Sequence, residues 1–267
     1  MHVSFITESS KNIGMGHIAR CKAVARFFEN ASFGLTDQTD LTIIDTYNIS
    51  TDEIKAFAQK YFTVVFDDFD KIYPVHLVID TTVGSATPIL REEFETSVPI
   101  AINKEVKNVL VTMGGSDPNG FTQVVIDSLQ GYNLHIVQGP LMQDIKPVKN
   151  ITVYKEPKMA ELMQQCDVAI ASAGGTVKEL MAMGVPSLFV LQAENQRSTF
   201  DFLERIGLGE LCLGSWQDVT NIDLSILQSY EKRKQIQQTM LNNMDKHGTK
   251  KLAHMIKDEY EKWKTNQ

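Results

Sequence analysis

Short apolar runs recur along the chain, separated by longer stretches of helical character. The runs at 2–7 (HVSFIT), 41–45, 63–67, 76–80, 108–113, 134–138, 151–155, 167–172 and 186–191 predict strands. Several are apolar without interruption, the pattern of strands covered on both faces. Helices are expected over 16–29, 51–60, 119–130, 157–165, 175–184, 195–206 and in a long stretch from about residue 225. Strand alternating with helix in this way predicts α/β architecture, with parallel sheets joined by crossover helices.

Local signals fix some of the ends. Ser50 or Thr51 followed by acidic residues is a capping pattern. Pro157 suits a first helical turn, and Gly184 followed by Pro186 marks a helix stop. Near residues 100–107 a polar connector leads into a fresh strand, and each half then opens on a strand and a glycine-rich turn. Two Rossmann-like domains are therefore expected, residues 1–104 and 105–267, with a central cleft. In such sheets ligands bind beyond the carboxyl ends of the strands.

Composition narrows the partners. The 267 residues are 43% hydrophobic and 22% charged, with a formal net charge of −7. An acidic chain is a poor match for nucleic acid or an anionic membrane, yet backbone N–H groups bind phosphate without net positive charge. Cys21, Cys166 and Cys212 are odd in number and lack metal-ligand spacing, so they read as buried thiols of a reducing compartment. The N-terminus has no signal-peptide pattern and no apolar run reaches membrane-span length, so a cytoplasmic location is expected. No H-E-x-x-H, C-x-x-C, Walker or G-x-S-x-G motif occurs, and nothing calls for a metal or cofactor. The sequence does not specify an oligomeric state.

Five segments carry candidate chemistry. In Gly14-Met15-Gly16-His17-Ile18-Ala19-Arg20 the glycines allow close backbone approach to a ligand, and His17 falls in the first turn of a helix. A neutral histidine facing a cleft is what a general base requires, although a tight turn with a solvated histidine has the same pattern. Gly174-Gly175-Thr176 between strand and helix makes an anion cradle at a helix N-terminus. Glu179 follows, suited either to a capping box with Thr176 or to a ribose diol. Asn195 and Gln196 follow another strand, where amides serve sugar hydroxyls and phosphate oxygens and Asn195 also suits a helix cap. Gly114-Gly115-Ser116 repeats the strand-turn-helix pattern, with Asp117-Pro118-Asn119 available for turn and cap chemistry. Asp45 and Tyr47 sit at a strand end in the first half, and Arg91 lies beside two carboxylates, by default a surface ion-pair run.

Taken in order, G-x-G-H-x-x-R, I-D-x-Y-x-I, L-R-E-E-F, M-G-G-[ST]-D, the Gly-Gly-Thr…Glu helix start and a late Asn-Gln resemble the nucleotide-sugar hydrolases of pseudaminic acid biosynthesis. That family includes spore-coat polysaccharide proteins of bacilli and is related to the GT-B glycosyltransferases typified by the lipid II N-acetylglucosamine transferase. The resemblance covers nearly the whole chain. It implies a GT-B fold whose C-terminal helix packs back across the first domain. It implies metal-independent, inverting attack of water on UDP-2,4-diacetamido-2,4,6-trideoxy-β-L-altropyranose, releasing UDP. It further implies that His17 is the general base, that Tyr47 and Asn195 position sugar or water, that Glu179 binds ribose, and that Gly174-Gly175-Thr176 cradles the diphosphate. Arg91 matches a position of the family pattern. The chain departs from the family where residues 27–45 leave little room for a second strand and helix, and where the stretch after Asp80 is short. Two other readings remain, a GT-B glycosyltransferase using the same donor and a non-catalytic nucleotide-sugar-binding protein of polysaccharide biosynthesis.

Overall fold

The computed structural model describes residues 1–8, 16–69, 71–146 and 149–267. The chain divides into two units, Met1–Arg91 with Lys246–Gln267, and Glu92–Asp245.

The first unit is built on a five-stranded parallel sheet of order β2-β1-β3-β4-β5, with β1 His2–Thr7, β2 Asn30–Phe33, β3 Leu41–Asp45, β4 Phe62–Asp67 and β5 Leu77–Asp80. Successive residues of its central strands serve opposite faces, as strand geometry requires. Ile43 and Val64 join one core with Cys21 and Val24 of α1 (Gly16–Ala25) and Leu252, Ala253 and Ile256 of α10 (Gly248–Thr265). Ile44 and Val65 join a second with Ile54 of α2 (Thr51–Lys60). Ser50 is the cap of α2: its Oγ accepts from Glu53 N (3.2 Å) and Glu53 Oε2 accepts from Ser50 N (2.9 Å). At the start of α10, Thr249 Oγ1 accepts from Leu90 N (2.8 Å), and farther along Lys257 Nζ donates to Phe27 O (2.7 Å). The last helix is thus integral to the core of the first unit.

β2 departs from expectation. Its sequence, NASF, lacks an apolar run because it is a largely exposed edge strand, paired with β1 alone. The space between Phe28 and Leu41 thus holds a second strand after all, and residues 34–40 reach β3 without a helix.

The second unit carries a six-stranded parallel sheet of order β11-β10-β9-β6-β7-β8. The strands are β6 Asn108–Thr112, β7 Asn133–Val137, β8 Ile151–Tyr154, β9 Val168–Ser172, β10 Ser187–Leu191 and β11 Cys212–Ser215. Around them lie α3 Glu92–Thr96, α4 Phe121–Ser128, α5 Met159–Met163, α6 Thr176–Met183, α7 Arg197–Arg205, α8 Ser225–Gln228 and α9 Tyr230–Asn242. Pro157 precedes α5, whose cap is Lys158, instead of lying in its first turn. Gly184 ends α6 in the left-handed region (φ 63°), where a side chain is strained.

The units divide at Arg91, ahead of the boundary expected near 104. The connector is fastened to the second unit: Phe94 is buried, and Ile100 N donates to Met183 O (2.9 Å). The buried Arg233 donates to Asn103 O (2.6 Å) and Lys104 O (3.1 Å), satisfying carbonyls that the irregular segment would otherwise leave open.

Candidate functional site

Chemistry-bearing residues gather at the carboxyl ends of the strands in each unit. In the first, β3 ends on Asp45, Asp68 follows β4 directly, and Thr81 follows β5. The strands are neighbours in the sheet, so all three residues come to one edge. α1 adds His17, Arg20 and Cys21, whose spacing of three and four places them on one helix face.

Asp45 is the centre of this group and is fully buried. Its Oδ1 lies 2.5 Å from His17 Nδ1 and accepts from Arg20 Nη2 at 2.6 Å; its Oδ2 accepts from Arg20 Nε at 2.6 Å. Burial alone would push the Asp45 carboxyl up, but the hydrogen bonds and charge of Arg20, with His17 behind them, hold it below the usual carboxylate value. An ionised carboxylate only accepts. Nδ1 of His17 therefore carries the proton, and in the neutral ring Nε2 keeps the lone pair. It follows that the 3.3 Å approach of Arg20 Nη2 to His17 Nδ1 is donor against donor and not a hydrogen bond.

Asp68 receives the other side of the guanidinium, from Arg20 Nη1 to both oxygens (2.8 and 3.0 Å) and from Nη2 to Oδ2 (3.0 Å). It also accepts from Thr81 Oγ1 (2.6 Å) and from the Tyr47 hydroxyl (2.7 Å). Against the penalty of burial, Arg20 holds the Asp68 carboxyl far below its ordinary range. The Tyr47 ring stands edge-to-face on His17, with centroids 4.5 Å apart at 89°, and the histidine is only 4% exposed. Phe69 packs on Tyr47 in turn, at 5.3 Å.

In the second unit the turns after β6, β9 and β10 converge. A Cβ on Gly139, just past β7, would lie 2.4 Å from Gly114 O, so the backbones meet at a distance only glycine permits. Gln196 Oε1 accepts from Gln192 N (3.0 Å), and its Nε2 lies over Gly174, 3.4 Å from where a Cβ would stand. Asn119 Nδ2 donates to Gln192 Oε1 (2.7 Å). The Asp117 carboxylate caps α4 by accepting from Phe121 N (2.9 Å) and Thr122 N (2.8 Å). Gly174 and Gly175 sit between these supports. There Val177 N and Lys178 N bond back to the Gly174 and Gly175 carbonyls (3.1 and 3.2 Å), leaving the earlier amides at the open end of α6.

The residues expected from sequence fare differently. His17 and Tyr47 are in contact, and Gly174, Gly175 and Gln196 share one turn cluster with the Gly114-Gly115 turn nearby. Thr176 is the first residue of α6 and not its cap; Gly175 holds the cap position without a side-chain bond, so no Thr176–Glu179 capping box forms. Glu179 is half-buried in the first turn of α6, and Ser116 is half-buried beyond β6. Asn195 is exposed within a 3-10 turn, and the cap position of α7 falls to Gln196, so Asn195 does not cap that helix. Gly16 opens α1 with open space where a Cβ would be among the described residues. Arg91 is half-buried at the end of the first unit's leading segment. Gly14 lies outside the described residues. Asp68, Thr81 and Gln192 had no sequence signal beyond following a strand.

Burial pushes the Cys166 and Cys212 thiols up to about 12 and Cys21 higher still, so all three are protonated at neutral pH and poor nucleophiles. Among the described residues no group of three or more His, Cys, Asp or Glu side chains is placed to hold a metal ion, and no helix is long and apolar enough to cross a membrane.

Residues 79–257 match the glycosyltransferase family 28 C-terminal domain. The chain is 26% identical over 310 residues to an uncharacterised protein of Methanocaldococcus jannaschii, covering 85% of this chain and 64% of that one. It is 26% identical over 249 residues to the pseudaminic acid cytidylyltransferase and UDP-2,4-diacetamido-2,4,6-trideoxy-β-L-altropyranose hydrolase of Helicobacter pylori, covering 78% and 48%. It is 23% identical over 271 residues to the UDP-2,4-diacetamido-2,4,6-trideoxy-β-L-altropyranose hydrolase of Campylobacter jejuni, covering 78% and 97%. The chain thus spans less than two thirds of the length of the first two of these relatives. Among solved structures, the spinosyn rhamnosyltransferase SpnG superposes with a TM-score of 0.53 at 14% identity, covering 97% and 96%. That likeness is one of fold, two Rossmann-like units of the α/β GT-B class.

Proposed function

The chain belongs to the glycosyltransferase family 28 C-terminal-domain family, and from that premise we propose that it is a nucleotide-sugar hydrolase. Its substrate in this reading is UDP-2,4-diacetamido-2,4,6-trideoxy-β-L-altropyranose, the compound in the names of the Helicobacter and Campylobacter relatives. The observation that carries the proposal is the His17–Asp45 pair: a 2.5 Å contact to a carboxylate locked as an anion, which leaves Nε2 as a base.

In the proposed reaction a water oxygen attacks the anomeric carbon as His17 Nε2 takes its proton. The bond from that carbon to the β-phosphate oxygen breaks, with inversion, and UDP leaves with the electron pair. UDP is a stable anion, so its departure calls for charge stabilisation more than for a strong acid, and the amides at the start of α6 supply donors for it. Glu179 is assigned to the ribose hydroxyls, and Gln196, Asn195 and Ser116 to the polar rim of the substrate. His17 is only 4% exposed and the Tyr47 ring stands on it, so in this reading that ring turns aside as water meets Nε2.

A second reading, a glycosyltransferase using the same donor, is favoured by one feature. Phe69, packed on Tyr47, is 43% exposed, and Ile72 three positions on is 99% exposed, apolar surface of the kind an acceptor uses. Incubation with a panel of UDP-sugars without acceptor, with UDP release as the readout, separates the two. Release in water supports hydrolysis; release only when an acceptor is added assigns the transferase. His17→Ala is expected to abolish turnover while retaining UDP affinity, and near-normal turnover in that variant removes His17 from the role of base.

A further inference from the structure

The motif that contributes His17 also contributes Arg20, to which the proposed reaction gives no task. We infer that Arg20 is a positioning residue that fixes the tautomer of His17 by preventing Asp45 from sharing a proton with Asp68. The inference rests on the proposed role of His17 as base. Arg20 Nη2 touches both carboxylates, Asp45 Oδ1 at 2.6 Å and Asp68 Oδ2 at 3.0 Å, while Nε and Nη1 complete a fork on each side. Two carboxyl groups brought this close in a buried site do not both ionise unless a cation lies between them; otherwise they hold one proton jointly. A proton on Asp45 would make that residue a donor toward Nδ1. His17 would then carry its own proton on Nε2, and the lone pair that serves as base would be lost. A planar five-donor fork grips both partners bidentately at once, which a three-donor ammonium group cannot do.

Among the described residues, the other groups around the imidazole do not replace this function. Tyr47 offers a ring edge-to-face, Cys21 Sγ turns to Asp45 Oδ2 at 3.4 Å, and the Glu8 carboxylate accepts from Thr46 Oγ1 and from Asn48 Nδ2 (2.9 Å). Among the described residues, Glu8 and Asp68 are the other carboxylates tied to this group, and of the two Asp68 shares a partner with Asp45.

The test is the tautomer of His17, read in the full chain labelled with 15N-histidine by long-range 1H–15N correlation, with His17→Gln used to assign the signals. The parent chain is expected to show Nδ1–H. Arg20→Gln is expected to shift His17 to Nε2–H and to lower kcat by about 10²–10⁴-fold, the contribution of a general base, with UDP affinity retained. The double variant Arg20→Gln/Asp68→Asn removes the competing carboxylate and is expected to restore Nδ1–H and most of the turnover. A purely architectural role for Arg20 predicts no such rescue. Nδ1–H persisting in a folded Arg20→Gln variant, or Nε2–H persisting in the double variant, overturns the inference. If Arg20→Gln alone does not fold, the double variant still decides. An active His17→Ala variant would remove the base reading while leaving the tautomer measurement to judge Arg20 by itself.

Discussion

Asp45→Asn is the sharpest perturbation of the site because it changes one oxygen to NH2 and almost nothing in volume. Oδ1 of Asp45 faces His17 Nδ1 and Arg20 Nη2, and Oδ2 faces Arg20 Nε. An asparagine amide placed at the Oδ2 position sets N–H against N–H at 2.6 Å. Placed at the Oδ1 position it confronts both Nη2 and Nδ1, and His17 answers by moving its proton to Nε2. Either orientation loses a hydrogen bond to a charged group, about 1.5–3 kcal/mol of stability. The second also loses the base, about 10²–10⁴ in kcat, which is roughly 3–6 kcal/mol of barrier at about 1.4 kcal/mol per decade. The assay is single-turnover UDP release from saturating UDP-sugar, with UDP titrated calorimetrically and folding checked by thermal melting. UDP affinity is expected to stay at the parent value, because Asp45 belongs to the first unit and the diphosphate is assigned to α6 of the second. A folded Asp45→Asn chain in which 15N-labelled His17 reads Nε2–H and kcat is nevertheless undiminished would refute the coupling of carboxylate to imidazole.

Other outcomes follow from particular residues. Glu179→Ala is expected to weaken UDP binding with little loss of stability; unchanged affinity by calorimetry would leave the carboxylate with only a helix-dipole role. Asp45 and Asp68 have folded pKa values below the ordinary 3.8, so the stability they contribute is complete above that value and is lost as the pH falls through the lowered ones. The urea midpoint of Asp68→Asn is therefore expected to fall less steeply than that of the parent below about pH 4. Ile256→Ala removes a fully buried side chain from the core shared by α10 and the first sheet. It is expected to cost about 2–5 kcal/mol in denaturant titrations, and a loss within the scatter of surface substitutions would place α10 outside that core.

The central strands were legible because they are apolar without interruption, and β1, β3, β6, β9 and β10 fall within about one residue of their apolar runs. The edge strands β2 and β11 were not, since NASF and CLGS are half-exposed or more and carry no pattern of burial. The place of the connector was hidden because its anchor, Arg233, lies far along the chain and bonds to backbone carbonyls, which leave no mark in composition. At the site, His17, Arg20, Asp45 and Tyr47 all stand inside visible motifs. Asp68 and Thr81 do not: an acidic or hydroxyl residue after a strand is common, and only the order of the sheet shows that these two serve the same guanidinium.

The first unit draws its core from both termini of the described chain, whereas the second runs unbroken from Glu92 to Asp245. On the ribosome the middle of the polypeptide therefore has everything it needs first. The front portion, although made earlier, must wait for Leu252, Ala253 and Ile256 to emerge before its sheet is covered on that side. A nascent chain stalled before Lys246 would hold a complete Gly174-Gly175 turn together with an unsealed histidine half, a state in which quality-control proteases would find a segment made before that turn protected only after it.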